Sequence, residues 1–238
     1  MKCIGLITFI LISLIIFTYI VLKPNHNPKN VILLLADDLG WKDLACTGSD
    51  VYLTPNLDKL AANGFLFENS YAASCVCSPT RVSVLTGKSP ARLGLTSWVS
   101  FSNRETTAPP NGYGPHSINQ LPLEEMTIAE AFNKHGYRTG MIGKWHLGNE
   151  MYWPDKQGFD YSYGKPFLGT PKGGYYLPNK IQLTNFSNRD YLTDHLAEAA
   201  VNFIKKNTDK PFFLYHSFYS VHRPIQAKAA LLKEESVY

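Results

Sequence analysis

The run Val31-Ile32-Leu33-Leu34-Leu35-Ala36 contains no polar side chain and stops abruptly at Asp37-Asp38. So short a continuous apolar run reads as a strand buried on both faces, the kind that parallel sheets contain. Strands of this type alternate with helices that cover the sheet. The rest of the chain has to supply those helices, in order, for the reading to hold.

It does supply them. Thr54 to Gly64 has the parts of a complete short helix: Thr54 as N-cap, Pro55 in the first turn and Gly64 as the stop. Thr127 to Gly136 repeats the plan, with Glu130 placed for a capping box and Gly136 to close. Tyr191 to Asn207 is amphipathic, apolar at Leu192, Leu196, Ala199, Ala200, Phe203 and Ile204. Between the helices, Phe65–Tyr71, Tyr137–Ile142 and Pro211–His216 read as further strands. The predicted fold class is α/β, a mostly parallel sheet sandwiched by helices. Ser97–Pro122 and Trp153–Asn188 are rich in Pro, Gly, Asn and Tyr and read as long surface loops.

Ligands of open α/β sheets gather beyond the carboxyl ends of the strands, so the residues after each apolar run are the ones to read for chemistry. Asp37 and Asp38 follow the first. Adjacent carboxylates repel unless a cation or hydrogen bonds compensate, and paired oxygen donors suit a hard divalent ion, Ca²⁺ or Mg²⁺. Helix or turn capping is the plainer use of a single Asp. After the strand ending at Ile142 comes Gly143-Lys144-Trp145-His146-Leu147-Gly148. If the extended backbone continues, Lys144 and His146 share a face and Trp145 points away. Lysine offers a point charge for an anion, and histidine a proton carrier near neutral pH.

The most reactive string is Cys77-Ser78-Pro79-Thr80-Arg81, running on to Leu85-Thr86-Gly87. Pro79 suits the first turn of a helix and Gly87 its left-handed end. Cys77 then sits at a helix N-terminus, where free N–H groups attract anions, and Arg81 lies one turn on, on the same side. A small buried cysteine before an ordinary amphipathic helix is the alternative.

A chain of 238 residues can bury one good core, and its formal net charge of +4 is spread out. It holds no basic tract of the sort that marks a nucleic-acid partner. Cys3 to Leu22 carries no charge and nearly matches a membrane span. Residues 1–23 therefore read as a signal peptide or an uncleaved signal anchor, and 24–29 as a linker. The expectation is an exported protein, membrane-anchored or secreted, periplasmic or lumenal. Cys46 and Cys75 would be free to pair in an oxidising compartment, and no Cys-x-x-Cys spacing suggests zinc. Asn185-Phe186-Ser187 is a glycosylation triplet.

The string Cys77-x-Pro-Thr-Arg81 with Thr86-Gly87 resembles the signature of the sulfatase family. Asp37-Asp38-Leu39-Gly40-Trp41 resembles that family's first metal motif, and Gly143-Lys144-Trp145-His146-Leu147-Gly148 its second signature. The segment Pro211-Phe212-Phe213-Leu214 to His222-Arg223-Pro224 is similar to a fourth. The order is the family's, and the likeness runs from Asn30 to the end. It implies an alkaline-phosphatase-like fold and the hydrolysis of a sulfate ester on a small molecule or glycan, as an arylsulfatase does. It implies that a formylglycine-generating enzyme oxidises Cys77 to formylglycine, whose hydrate attacks sulfur. Asp37, Asp38 and the oxidised residue 77 would bind Ca²⁺ (or Mg²⁺). Arg81 and Lys144 would neutralise charge, Lys144 and His222 would touch the sulfate ester, His222 would protonate the leaving oxygen, and His146 would take a proton when sulfate is expelled. His216 is the nearby decoy, with a structural role.

Sulfatases complete the metal site with a later Asp-Asn pair and add a second lysine. No Asp-Asn dipeptide occurs in these 238 residues, so residues 30–238 are expected to be the N-terminal part of a sulfatase catalytic domain, truncated at its C-terminal side. A phosphodiesterase or phosphonate hydrolase of the same superfamily would use the same nucleophile. A membrane-anchored, inactive sulfate-binding remnant is the rival from another class.

Overall fold

The computed structural model describes residues 28–100, 117–164, 168–178, 181 and 183–235. Four strands form one sheet: β1 (Val31–Leu35), β2 (Arg138–Gly143), β3 (Tyr161–Tyr163) and β4 (Phe212–Ser217). Their spatial order is β1-β4-β2-β3, and every pairing is parallel. The helices are α1 (Pro55–Ala62), α2 (Cys77–Thr86), α3 (Pro90–Leu93), α4 (Ile128–Lys134), α5 (Leu192–Lys206) and α6 (Ala229–Glu235).

Two cores lie on opposite faces of the sheet, and alternation along the strands divides them. Met141, Phe213 and Tyr215 join Val82 and Leu85 of α2 and Ala129 of α4 on one side. Ile142, Phe212 and Leu214 join Leu192, Leu196, Ala200 and Phe203 of α5 on the other. The central strand β4 is buried at every residue, which is the sandwich that a continuous apolar run predicts. The capping box of α4 forms as expected, with Thr127 and Glu130 exchanging side-chain-to-backbone bonds.

Three expectations need correction. Among the described residues β1 lies at the edge of the sheet: Val31, Leu33 and Leu35 pack on the first core, but Ile32 and Leu34 are 47% and 49% exposed. A run of apolar residues does not distinguish a central strand from an edge strand with one covered face. Phe65–Tyr71 forms no strand and lies open, with Phe65 93% and Tyr71 90% exposed; no sheet edge among the described residues pairs with it. Conversely β3, only three residues long, lies inside a segment read as loop, too short for a period-2 signal.

Among the described residues no helix is long and apolar enough to cross a membrane. The apolar run Cys3–Leu22 and the middle of the 97–122 loop lie outside them. Cys46 and Cys75 are both free thiols.

Candidate active site

Parallel pairing brings three strand ends to one level, because Ser217 pairs with both Leu35 and Gly143. The loops leaving those ends are stitched together through backbone bonds. Asp37 N–H donates to Ser220 O (2.9 Å), Val221 N–H to Asp37 O (2.7 Å) and Lys144 N–H to Ser217 O (2.8 Å). The N-terminus of α2 faces the same place, and the helix closes at Gly87, whose φ of 69° is left-handed.

Asp37 is the hub. It is 5% exposed, and its Oδ1 accepts from Arg81 Nη2 at 2.8 Å. Its Oδ2 accepts from Lys144 Nζ. Arg81 also donates to the Lys144 carbonyl at 2.9 Å and to Ser217 Oγ. Arg81 and Lys144 are themselves 1% and 0% exposed. Burial works to raise the Asp37 pKa, but Arg81 and Lys144 outweigh it and hold the carboxyl below its ordinary value. Burial, with Arg81 close by, draws the Lys144 ammonium down, while Asp37 resists. Two cations around one anion leave this buried cluster a net positive charge beside the start of a helix, an electrostatic setting for an anion.

His146 carries the second feature. Its Nδ1 lies 3.1 Å from Cys77 Sγ, and its Nε2 lies 2.9 Å from the Val99 carbonyl. A carbonyl only accepts, so Nε2 bears the proton of the neutral ring and Nδ1 is left as an acceptor. Ser78 Oγ also lies 3.3 Å from Nδ1 but donates its hydrogen to the His146 carbonyl at 2.9 Å. The Nδ1 lone pair is therefore directed to residue 77. Burial above all, then Lys144, lowers the His146 pKa to about 3, so the ring is neutral across the physiological range.

The extended-strand argument for Lys144 and His146 does not hold, although both reach the site. β2 ends at Gly143, and His146 itself takes a left-handed φ of 57°. That turn, not strand alternation, aims the ring at Cys77, while Trp145 Nε1 donates to the Tyr152 carbonyl.

Sequence reasoning passed over three supports. Ser78 ties His146 to the 97–100 segment by also accepting from Val99 N–H at 3.0 Å. Val99 fixes the tautomer through a carbonyl, which no side-chain pattern reveals. Gly169 lies against the ring, where an added Cβ would be 2.5 Å from His146 Cε1.

The outer part of the site differs. Asp38 takes a left-handed φ of 59°, and its side chain is 54% exposed. His222 Nε2 approaches Asp38 Oδ2 at 3.6 Å, and its Nδ1 lies 3.0 Å from the Arg223 carbonyl. Asp37, Asp38 and His222 offer ligand atoms within 4.8 Å of one another. Two carboxylates and an imidazole suit a divalent ion; Cys77 Sγ lies against His146 Nδ1. His216 stays apart, buried, with Nδ1 3.3 Å from the Ile142 carbonyl and its ring against Phe218.

The family pattern described as Sulfatase matches residues 29–238. The chain belongs to the sulfatase family. It is 36% identical to the N-acetylgalactosamine-6-sulfatase of Homo sapiens over 87% of its length and 42% of the relative's. It is 33% identical to arylsulfatase G of Mus musculus over 91% of its length and 46% of the relative's. Among solved structures, Ps i-CgsB bound to k-i-k-neocarrahexaose superposes with a TM-score of 0.68 at 30% identity, over 87% of this chain and 48% of that one. Another, bound to its substrate D-glucosamine-2-N,6-O-disulfate, gives 0.62 at 27% identity over 82% and 35%. The chain thus spans less than half the length of each of these proteins.

Proposed function

We propose that this chain carries the nucleophile half of a sulfuric ester hydrolase site, acting on a sulfated sugar, glycan or aryl alcohol. The carrying observation is Cys77 at the start of α2 with His146 Nδ1 at 3.1 Å, beside the Asp37–Arg81–Lys144 cluster. Names of relatives support the substrate class: one acts on an N-acetylgalactosamine 6-sulfate by its title, and another structure holds a disulfated glucosamine.

Formylglycine made from Cys77 by a formylglycine-generating enzyme supplies, when hydrated, the oxygen nucleophile for sulfur. A divalent ion, Ca²⁺ or Mg²⁺, would be held by Asp37, Asp38 and residue 77 and would supply Lewis acidity. The chain's own residues do the rest. Arg81 and Lys144 set a fixed positive field for sulfate oxygens. His146, neutral and open at Nδ1, accepts a proton from residue 77. His222, half-buried at the rim, donates a proton to the departing oxygen.

Residues 1–23 would serve as export signal or membrane anchor, and residues 30–238 as the N-terminal part of the catalytic domain. The test is mass spectrometry of the peptide containing Cys77, together with turnover of a chromogenic aryl sulfate. The expected result is formylglycine at position 77 and loss of all turnover in Cys77→Ala. Near wild-type rates in that variant would sink the reading.

A further inference from the structure

The segment carrying His222 is held from outside by tyrosines. Tyr191 Oη donates to the Gln226 carbonyl at 2.7 Å, and Tyr176 Oη to the Ala227 carbonyl at 3.1 Å. Tyr175, 2% exposed, reaches deeper. Its hydroxyl lies 2.8 Å from the Tyr219 carbonyl and 2.9 Å from the His222 carbonyl. One phenolic hydrogen is thus shared between the two ends of a turn, which His222 N–H closes by donating to Tyr219 O at 2.9 Å. Burial pushes the Tyr175 hydroxyl well above its ordinary pKa, so it remains a donor.

Tyr175 is itself fixed. Its N–H donates to Gln226 Oε1 at 2.7 Å, its carbonyl accepts from Leu192 N–H at 2.7 Å at the start of α5, and its ring stacks on Tyr191. The middle of the turn is tied to Asp37 through Val221 N–H. At the His222 end, Nδ1 meets only the carbonyl of the next residue, Arg223. Among the described residues, Tyr175 Oη is the hydrogen-bond donor from the body of the fold to the His222 carbonyl, while the His222 ring reaches Asp38 at 3.6 Å.

We propose that Tyr175 is the positioning residue for His222, pinning the Tyr219–His222 turn so that Nε2 stays beside Asp38 at the rim of the site. This rests on the reading of His222 as the proton donor to the leaving oxygen. Proton transfer needs the donor within hydrogen-bond reach of its target, so a loosened turn costs rate in proportion to how much the reaction needs that proton.

Tyr175→Phe removes the hydroxyl and keeps the ring. In hydrogen exchange on the whole chain, the amides of Val221 and His222 should exchange about five- to tenfold faster, the value of one hydrogen bond. Those of β4 should be unchanged. In the formylglycine-bearing protein, kcat for an alkyl sulfate should fall about tenfold or more with KM little altered. A nitrophenyl sulfate, whose leaving group needs no proton, should be nearly unaffected. Tyr176→Phe should match wild type on both esters.

Unchanged exchange at Val221 and His222 overturns the proposal. So does an equal loss on both esters in Tyr175→Phe while His222→Ala still discriminates between them, because that pattern is a general structural defect. If His222→Ala fails to discriminate, the proton-donor reading falls and the proposal falls with it.

Discussion

Asp37 and Asp38 are joined by a peptide bond and live in different surroundings. Asp37 is buried and bonded at both oxygens by Arg81 and Lys144. Asp38, turned outward by a left-handed backbone, is faced by His222 at 3.6 Å. The inner part of the site is assembled from strand ends and one helix, with its charges compensated inside the chain. The outer part hangs on loops and is open to solvent. The comparison teaches that rigidity here follows the sheet: residues within reach of the β1, β2 and β4 ends are locked, and those a few positions further on depend on tethers.

The sharpest way to break this contrast is to neutralise each aspartate. Asp37→Asn leaves two buried cations without their counter-charge and should destabilise the fold by about 3–5 kcal/mol in urea titrations. Asp38→Asn should cost less than about 1 kcal/mol. Equal losses would erase the distinction between the two parts.

Acid should find the inner part next. The His146 pKa falls from 6.5 in the unfolded chain to about 3 in the folded one. Between those values the unfolded state binds more protons, so stability falls as pH falls from about 6.5 toward 3. By pH 5 the loss should reach about 2 kcal/mol. The lowered Asp37 pKa acts in the same sense below 3.8, since its stabilisation disappears as the carboxylate protonates. His146→Gln should flatten the upper limb of a stability–pH curve, and an unchanged limb would remove His146 from the account.

Gly169→Ala, whose new methyl meets the His146 ring, probes the packing around that ring. A stability loss of about 1–3 kcal/mol is expected, together with a pH–rate profile altered through the displaced ring. A neutral outcome would mean that the 168–170 segment yields easily.

Much of the inner site was legible beforehand, and for identifiable reasons. Asp37-Asp38 stand where an apolar run stops, and strand ends collect chemistry. Cys77 and Arg81 are one helical turn apart, between a proline and a closing glycine. Lys144 and His146 were found for a reason that proved wrong, since a left-handed turn replaces the expected strand. The edge position of β1 was illegible because Ile32 and Leu34 are as apolar as their covered neighbours. Val99 was invisible because it contributes a carbonyl, which every residue has. Ser78 and Gly169 matter through close approach in space, and spacing along the chain carries no trace of that.

The parallel sheet also dictates an order of events in time. Asp37 meets Lys144 across 107 positions of the chain, and Arg81 meets Ser217 across 136. Contacts of such long separation form late, after large loops have closed. Synthesis proceeds from the N-terminus, so Asp37 and Arg81 emerge well ahead of β4 and remain hydrated until it arrives. Until that central strand is inserted, residue 77 has no finished pocket around it.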